Sequence, residues 1–522
     1  MSERKSARPC RPVRSATAVT LCLAATAMAQ PGFDCSSPPL PTATGWTVLG
    51  DGSPGSVNTA ALQAALDAGG AIRLNMGSGT LTVNQTLRIT RQTTLDANGA
   101  TLSGGHARRV FLVENPANQT YTFNLMNARV TGGRSNDGSG GGLFKPSQGP
   151  WQAVTIRVFD SVFEDNHAIQ TAQDGGGGAL YVVGAAELAL VRTLVRNNSG
   201  SNGGGVYSLG SRRVNLFDSE LSGNRATGTG GNPGNGGNGG GLGVDGAQRH
   251  INLCRSRLLD NRAKAYGGGL FTVAYDQDSF VRLRQTLVQG NRTLGSSSSH
   301  TAGVYLQGGP FEIDASSFIG NVSNTGNGGL SLYNHGNTPL GGLIVNSTFQ
   351  GNVATNGLAG AINLDATGGI TVQNTTIAEN RADCDVCFAA GIRNAANAPL
   401  TLRNVLFRNN TAGNAWNPWT LLNAPVNGSH NLQWPATRPG SGQAEAAVTT
   451  GAIFADVPLG APAWNGGPTP TMALPPGSAA VNAGTATGAP PVDQRGQPRQ
   501  GAPDIGAYEL QPDLIFANGF QA

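Results

Sequence analysis

Carboxylates, thiols and aromatic rings are the groups in this chain whose spacing could support chemistry. The densest acidic group is Asp160, Glu164 and Asp165, with Asp218 and Glu220 some two repeats further on. Hydrolysis of a glycosidic bond needs two carboxyls a few ångströms apart, one protonated and one ionised. A calcium-assisted elimination needs a carboxylate cluster beside a basic side chain. Asp160 and Asp218 are the residues to consider for either role. The same column also has a structural reading, because it runs Asp160, Arg192, Asp218, Arg255 in successive repeats. Alternating signs one strand apart would compensate one another at ~0.2–1 kcal/mol per pair. No Asn-Thr-Asp, Asp-Asp or Gly-His-Gly sequence occurs, nor a phosphate-cradling glycine loop, a His-Glu-x-x-His helix or a Gly-x-Ser-x-Gly elbow. The six histidines are scattered, and none is expected as a ligand.

Cys384-Asp-Val-Cys387 could close a small disulfide loop in an oxidising compartment, although the same spacing is half of a zinc site. No second pair of that spacing accompanies it. Gly240-Gly-Leu-Gly-Val-Asp245 fits one calcium-binding glycine repeat, but a single copy cannot hold an ion between successive turns. No cofactor is expected, and calcium is the only candidate. A fourth chemistry is stacking. Tyr181, Tyr207, Phe271 and Tyr305 occupy one outward position of a recurring strand, interrupted by Gly243. Exposed, they would form a platform for flat sugar faces or a protein partner. Alternatively, the rings stack on each other or lie beneath the long loop from Arg225 to Asn238.

These residues must be positioned by a repeat. Segments of form Ser/Thr-x-apolar-x-x-Asn end at Asn166, Asn198, Asn224, Asn261, Asn291, Asn321, Asn352 and Asn380, and Val405-Leu-Phe-Arg-Asn-Asn410 continues them with Val in place of Ser/Thr, eight intervals over 244 residues or 30.5 each. Such a period means a solenoid. Apolar pairs three and five residues before each Ser/Thr, such as Ile156 with Val158 and Leu188 with Leu190, describe a strand with one buried face, broken only at Gly342. An inward column follows at Phe163, Val195, Leu221, Leu258, Val288, Phe318, Phe349, Ile377 and Phe407. A further strand follows each glycine cluster, as at Leu180 and Val182. Strands this short satisfy their backbone only by pairing one repeat on, which makes a parallel β-helix. Identical asparagines at the ~4.8 Å strand spacing can then hydrogen-bond along the axis.

The pairing of Gly-Gly-Ala-aliphatic with Phe-x-x-Asn, as in Phe163-Glu-Asp-Asn166 and Phe318-Ile-Gly-Asn321, resembles the repeats of chlamydial polymorphic outer-membrane proteins over roughly residues 140 to 410. Upstream, the apolar spacing of Val57 to Asp67, closed by Gly69-Gly70, predicts one helix. It is similar to the cap over the first coil in pectate-lyase-like β-helices. Downstream, Asn465-Gly-Gly-Pro-Thr469, Gly477-Ser-Ala-Ala-Val-Asn-Ala-Gly484, Asp493-Gln-Arg-Gly496 and Asp504-Ile-Gly-Ala-Tyr-Glu509 are similar to the choice-of-anchor Q module of exported bacterial proteins. Enzymes with a β-helix of this kind act on acidic polysaccharides, so the resemblance implies a lyase or hydrolase as one possibility.

Five of the 34 Lys and Arg, but one of the 30 acidic residues, fall in the first 29 residues, so the net charge of +4 belongs there and the remainder balances. With an apolar run from Ala16 and Ala27-Met28-Ala29 behind it, this segment reads as a secretory signal peptide. The balanced body argues against nucleic acid as a partner, and no later apolar run is long enough for a membrane-spanning helix. The expected organisation is a leader (1–29), an N-terminal cap (30–70), a right-handed parallel β-helix (71–411), a Pro- and Trp-rich connection (412–464), the module (465–510) and a tail (511–522). The fold class is all-β. The expected function is that of a secreted or cell-surface, non-catalytic protein that binds a polysaccharide or a cell-surface partner in the manner of an adhesin. Alternatives are a lyase or glycoside hydrolase acting on an acidic polysaccharide, and a passive spacer.

Overall fold

Strands of two to six residues stack in parallel, each bonded to its counterpart one coil away, in the computed structural model of this chain. The structure describes residues 35–230, 235–295 and 301–511; the leader and the chain beyond 511 lie outside the described residues. One coil illustrates the rest. Val154–Phe159 belongs to sheet 1, Val162–Glu164 to sheet 2, His167–Ala168 to sheet 3 and Leu180–Val183 to sheet 4. The next coil starts at Glu187–Val191. Among the described residues, sheets 1 and 2 each hold 14 strands, sheet 3 holds 10 and sheet 4 holds 11.

Two corners keep the coils in register. Between sheets 2 and 3 the nine repeat asparagines are buried, and each from Asn166 to Asn380 donates from its side-chain amide to the Oδ1 of the next at 2.8–3.0 Å. Between sheets 1 and 2 the repeat Ser/Thr forms a second column, whose hydroxyl oxygens accept backbone N–H groups from the preceding coil. Ser161 accepts from Ala128, Ser219 from Thr193 and Ser316 from Thr286, at 3.0–3.1 Å. The residue before it takes a left-handed conformation, with φ of 48° at Asp160, 47° at Arg192, 51° at Asp218 and 47° at Arg255. Gly342, which interrupts the apolar column, makes room for a neighbour: a Cβ there would stand 2.7 Å from the Phe311 ring.

The predicted helix is α1, Thr59–Ala68, whose N-cap Asn58 accepts the Ala61 N–H at 2.9 Å and which ends at Gly69 with φ 76°. Leu62 and Leu66 are fully buried against the first coil. Paired strands extend past both ends of 71–411, from Thr47–Leu49 to Ile453–Phe454. These outer strands lack the repeat signature, which is why spacing alone stops short of them.

Two non-repeating segments run along the outside. The N-terminal one lays Cys35 and Trp46 on an apolar outward column of sheet 1, Met126, Phe159, Val191, Phe217 and Cys254. A disulfide joins Cys35 to Cys254 across 219 residues. The C-terminal one lies on the outer face of sheet 2. Thr469 donates to the Ala315 carbonyl at 2.8 Å, Gln494 to Ser317 at 2.7 Å and Arg499 to Asn346 at 2.9 Å. Leu406 and Leu432 of that sheet pack with Val457, Leu474, Ala480 and Ile505.

Cys254→Ser removes the long cross-link and frees the N-terminal segment. Long-loop disulfides contribute roughly 2–5 kcal/mol, so the variant is expected to melt at a clearly lower temperature than the oxidised parent. With reductant present, variant and parent should share one midpoint, since both disulfides are then open in each. An unchanged midpoint would mean the segment is held without the bond.

Candidate binding surface

The four aromatic residues do form one column, yet they are not an exposed platform. Tyr181, Tyr207, Phe271 and Tyr305 are 5%, 2%, 1% and 7% exposed. Phe144, Tyr181 and Tyr207 stack at 5.3 Å between successive centroids. The Tyr207 ring leans over Gly243, where a Cβ would meet it at 2.9 Å. A second stack has Phe271 and Tyr305 at 5.6 Å and Tyr333 at 5.1 Å beyond, with Tyr266 alongside. The physical reason is that outward on a strand is not outward to water. Loop backbone folds over the column, and the Tyr181 hydroxyl donates to the carbonyl of Asp174. Burial pushes the phenols of Tyr181, Tyr207 and Tyr305 well up. The rings therefore act as packing.

Asp160 and Asp218 stand two coils apart in one corner column, so the structure does not bring them together. Each is gripped by the arginine of the following coil. Arg192 reaches Asp160 at 2.6 and 2.8 Å, and Arg255 reaches Asp218 at 2.6 and 2.8 Å. In each pair the planar guanidinium meets both carboxylate oxygens. Beside them on the outer face of sheet 2, Glu164 sits between Arg129 and Arg196, and Glu220 pairs with Arg257 at 2.9 Å. Burial works to raise the Glu164 carboxyl, but hydrogen bonds from Arg196 and Arg129 outweigh it and hold the group below the usual range. These carboxylates accept hydrogen bonds from the arginines beside them. Lys145 is turned into the core, 2% exposed, where desolvation lowers it to about 8 and its Nζ donates hydrogen bonds to the carbonyls of Pro146 and Val183.

Cys384 and Cys387 are joined in a disulfide, with Cys387 packed among Ala354, Ala382 and Ala390. This takes both sulfurs out of metal chemistry. In the single glycine repeat, Leu242 and Val244 are fully buried core residues.

What the corner offers is a series of clefts. One of ≈530 Å³ is lined by Asn98, Asn127, Arg129, Asp160 and Val162. Another of ≈220 Å³, four coils on, is lined by Asp218, Arg255, Arg257 and Gln285, with Trp464 and Pro468 of the C-terminal segment forming its far wall. Spacing did not mark Trp464 as a site residue, because it lies outside the repeats and reaches the corner only through the path of a non-repeating segment. The apolar outward column from Met126 to Cys254 signals a covering segment on sheet 1, but that segment is the N-terminal one with Cys35 and Trp46.

No protein-family model matches the chain, and no curated protein is similar to it. Among solved structures, pectate lyase Pel9A is 14% identical with a TM-score of 0.34, covering 89% of this chain and 96% of its own. PfbA, a surface adhesin of Streptococcus pneumoniae, is 11% identical with a TM-score of 0.34, covering 72% and 91%. Tailspike protein 3 of bacteriophage CBA120 is 12% identical with a TM-score of 0.28, covering 73% and 60%.

Proposed function

We propose that this chain is an exported, non-catalytic β-solenoid that binds an extended glycan along the corner between sheets 1 and 2. One observation carries the reading: the clefts of that corner are floored by carboxylates clamped to arginine. Asp160–Arg192 and Asp218–Arg255 present planar, paired hydrogen-bonding groups without a free acid or base. Neutral pairs repeated along a rigid axis suit recognition of a chain of similar units better than glycoside hydrolysis, which needs two carboxyls with separated proton affinities. Export rests on the leader at 1–29 and on two disulfides, which belong to an oxidising compartment. We take the repeats to be of the polymorphic outer-membrane-protein type and residues 465–510 to be a choice-of-anchor Q module, which favours display at a cell surface.

The test is a glycan array probed with the purified chain, run beside a polyuronate panel with and without calcium. Binding without release of unsaturated or reducing sugar is the expected result. Calcium-dependent release would make the protein a lyase, and silence on both would make it a spacer.

A further inference from the structure

The half-exposed Trp464 is held rigidly beside a polar cleft. Its indole is 51% exposed, yet the backbone around it is pinned. The Gly467 N–H donates to its carbonyl at 3.0 Å, Asn465 donates to the Thr471 carbonyl at 2.9 Å, and Thr469 donates to Ala315 of the solenoid at 2.8 Å. An indole held open beside a polar cleft by a fixed backbone is preorganised for stacking on a flat ligand face. Across the cleft stand the planar Asp218–Arg255 pair, Arg257 and Gln285. The Gln285 side-chain amide forms no hydrogen bond with the described residues, so a donor and an acceptor are available there. The cations are already matched, Arg255 by Asp218 and Arg257 by Glu220. An anionic ligand would have to compete with these carboxylates, whereas hydroxyls can bond to the remaining lone pairs and N–H groups without breaking either pair. The volume of ≈220 Å³ is below the ~300–1,000 Å³ of pockets for drug-sized ligands, which suits one ring of a longer chain lying along the corner.

We infer that the cleft between Trp464 and the Asp218–Arg255 pair is a subsite for one neutral pyranose ring of the bound glycan, stacked on the indole and hydrogen-bonded by Arg257 and Gln285. This rests on the glycan-binding reading above and names the sugar class and the residues that read it. The experiment immobilises neutral linear hexose oligosaccharides and polyuronates and measures binding of the full chain and of Trp464→Ala, Trp464→Phe and Gln285→Ala. Expected are binding to a neutral oligosaccharide, at least a tenfold loss in Trp464→Ala, a smaller loss in Gln285→Ala, near-parental binding by Trp464→Phe, and unchanged melting in all three. Parental binding by Trp464→Ala and Gln285→Ala would overturn the subsite and leave glycan binding intact elsewhere. Binding to polyuronates alone would overturn the neutral specificity. Absence of binding to both classes by the parent would overturn this inference together with the reading on which it rests.

Discussion

Asn321→Ala is expected to destabilise the solenoid by about 5 kcal/mol, several times the ~1 kcal/mol of a single lost amide pair. The larger figure follows from the connectivity of the ladder. Asn321 Oδ1 accepts both the backbone N–H and the side-chain amide of Asn291 at 3.0 Å, and Asn321 Nδ2 donates to the Val288 carbonyl at 3.0 Å and to Asn352 Oδ1 at 2.8 Å. Alanine removes all four bonds at a site with no solvent access. The Asn291 N–H loses its partner and the Val288 carbonyl loses a donor, each at ~1–3 kcal/mol, with a small cavity added. The exposed Asn324 is the control, and Asn324→Ala should stay within about 0.5 kcal/mol. Urea denaturation followed by circular dichroism measures both. A loss near 1 kcal/mol for Asn321→Ala would mean that water or a shifted coil replaces the missing amide.

Much of this architecture was legible because the residues that set it recur. The Asn column and the apolar positions before and after each Ser/Thr specify which residues stack. Pairings such as Phe318 with Phe349 and Leu188 with Val214 follow from that alignment. The alternating charges before Ser161, Thr193, Ser219 and Ser256 were legible for the same reason, and their register makes the pairs Arg192–Asp160 and Arg255–Asp218. Their left-handed φ values and the hydroxyl ladder were not, since many residue types tolerate the corner and a Ser or Thr does not reveal what its oxygen accepts. Burial of the aromatic column was hidden for a different reason. Strand periodicity assigns a side of the sheet, whereas covering is decided by loops without a repeat, such as the one carrying Asp174. Trp464 was hidden because its place at the corner depends on contacts between residues some 150 apart, Thr469 with Ala315 among them.

The same burial sets the response to alkali, where the fold is expected to collapse before its tyrosines ionise in place. Burial raises the phenols of Tyr121, Tyr181, Tyr207, Tyr305 and Tyr333 above the ordinary value of 10.0, Tyr333 to about 12, with smaller contributions from nearby carboxylates such as Glu114 beside Tyr121. A phenol whose value is raised by folding contributes stability that is fully present below its unfolded value. That contribution is lost as pH climbs from 10 towards the folded value. Each group in that window loses about 1.4 kcal/mol per pH unit. Five together lose ~10 kcal/mol over about one and a half units, comparable with the ~5–15 kcal/mol net stability of a typical protein. The phenolate absorbance of these five should therefore rise in one steep step near pH ~11.5, coincident with loss of the β-sheet dichroism. An exposed stripe would behave oppositely, titrating as independent groups near the ordinary value with the dichroism intact. Tyr207→Phe keeps the stack with Tyr181 while removing one proton from the step, so it should lower the steepness of the alkaline transition. A gradual rise in absorbance near pH ~10 with the fold unchanged would return these rings to solvent and to consideration as a binding surface.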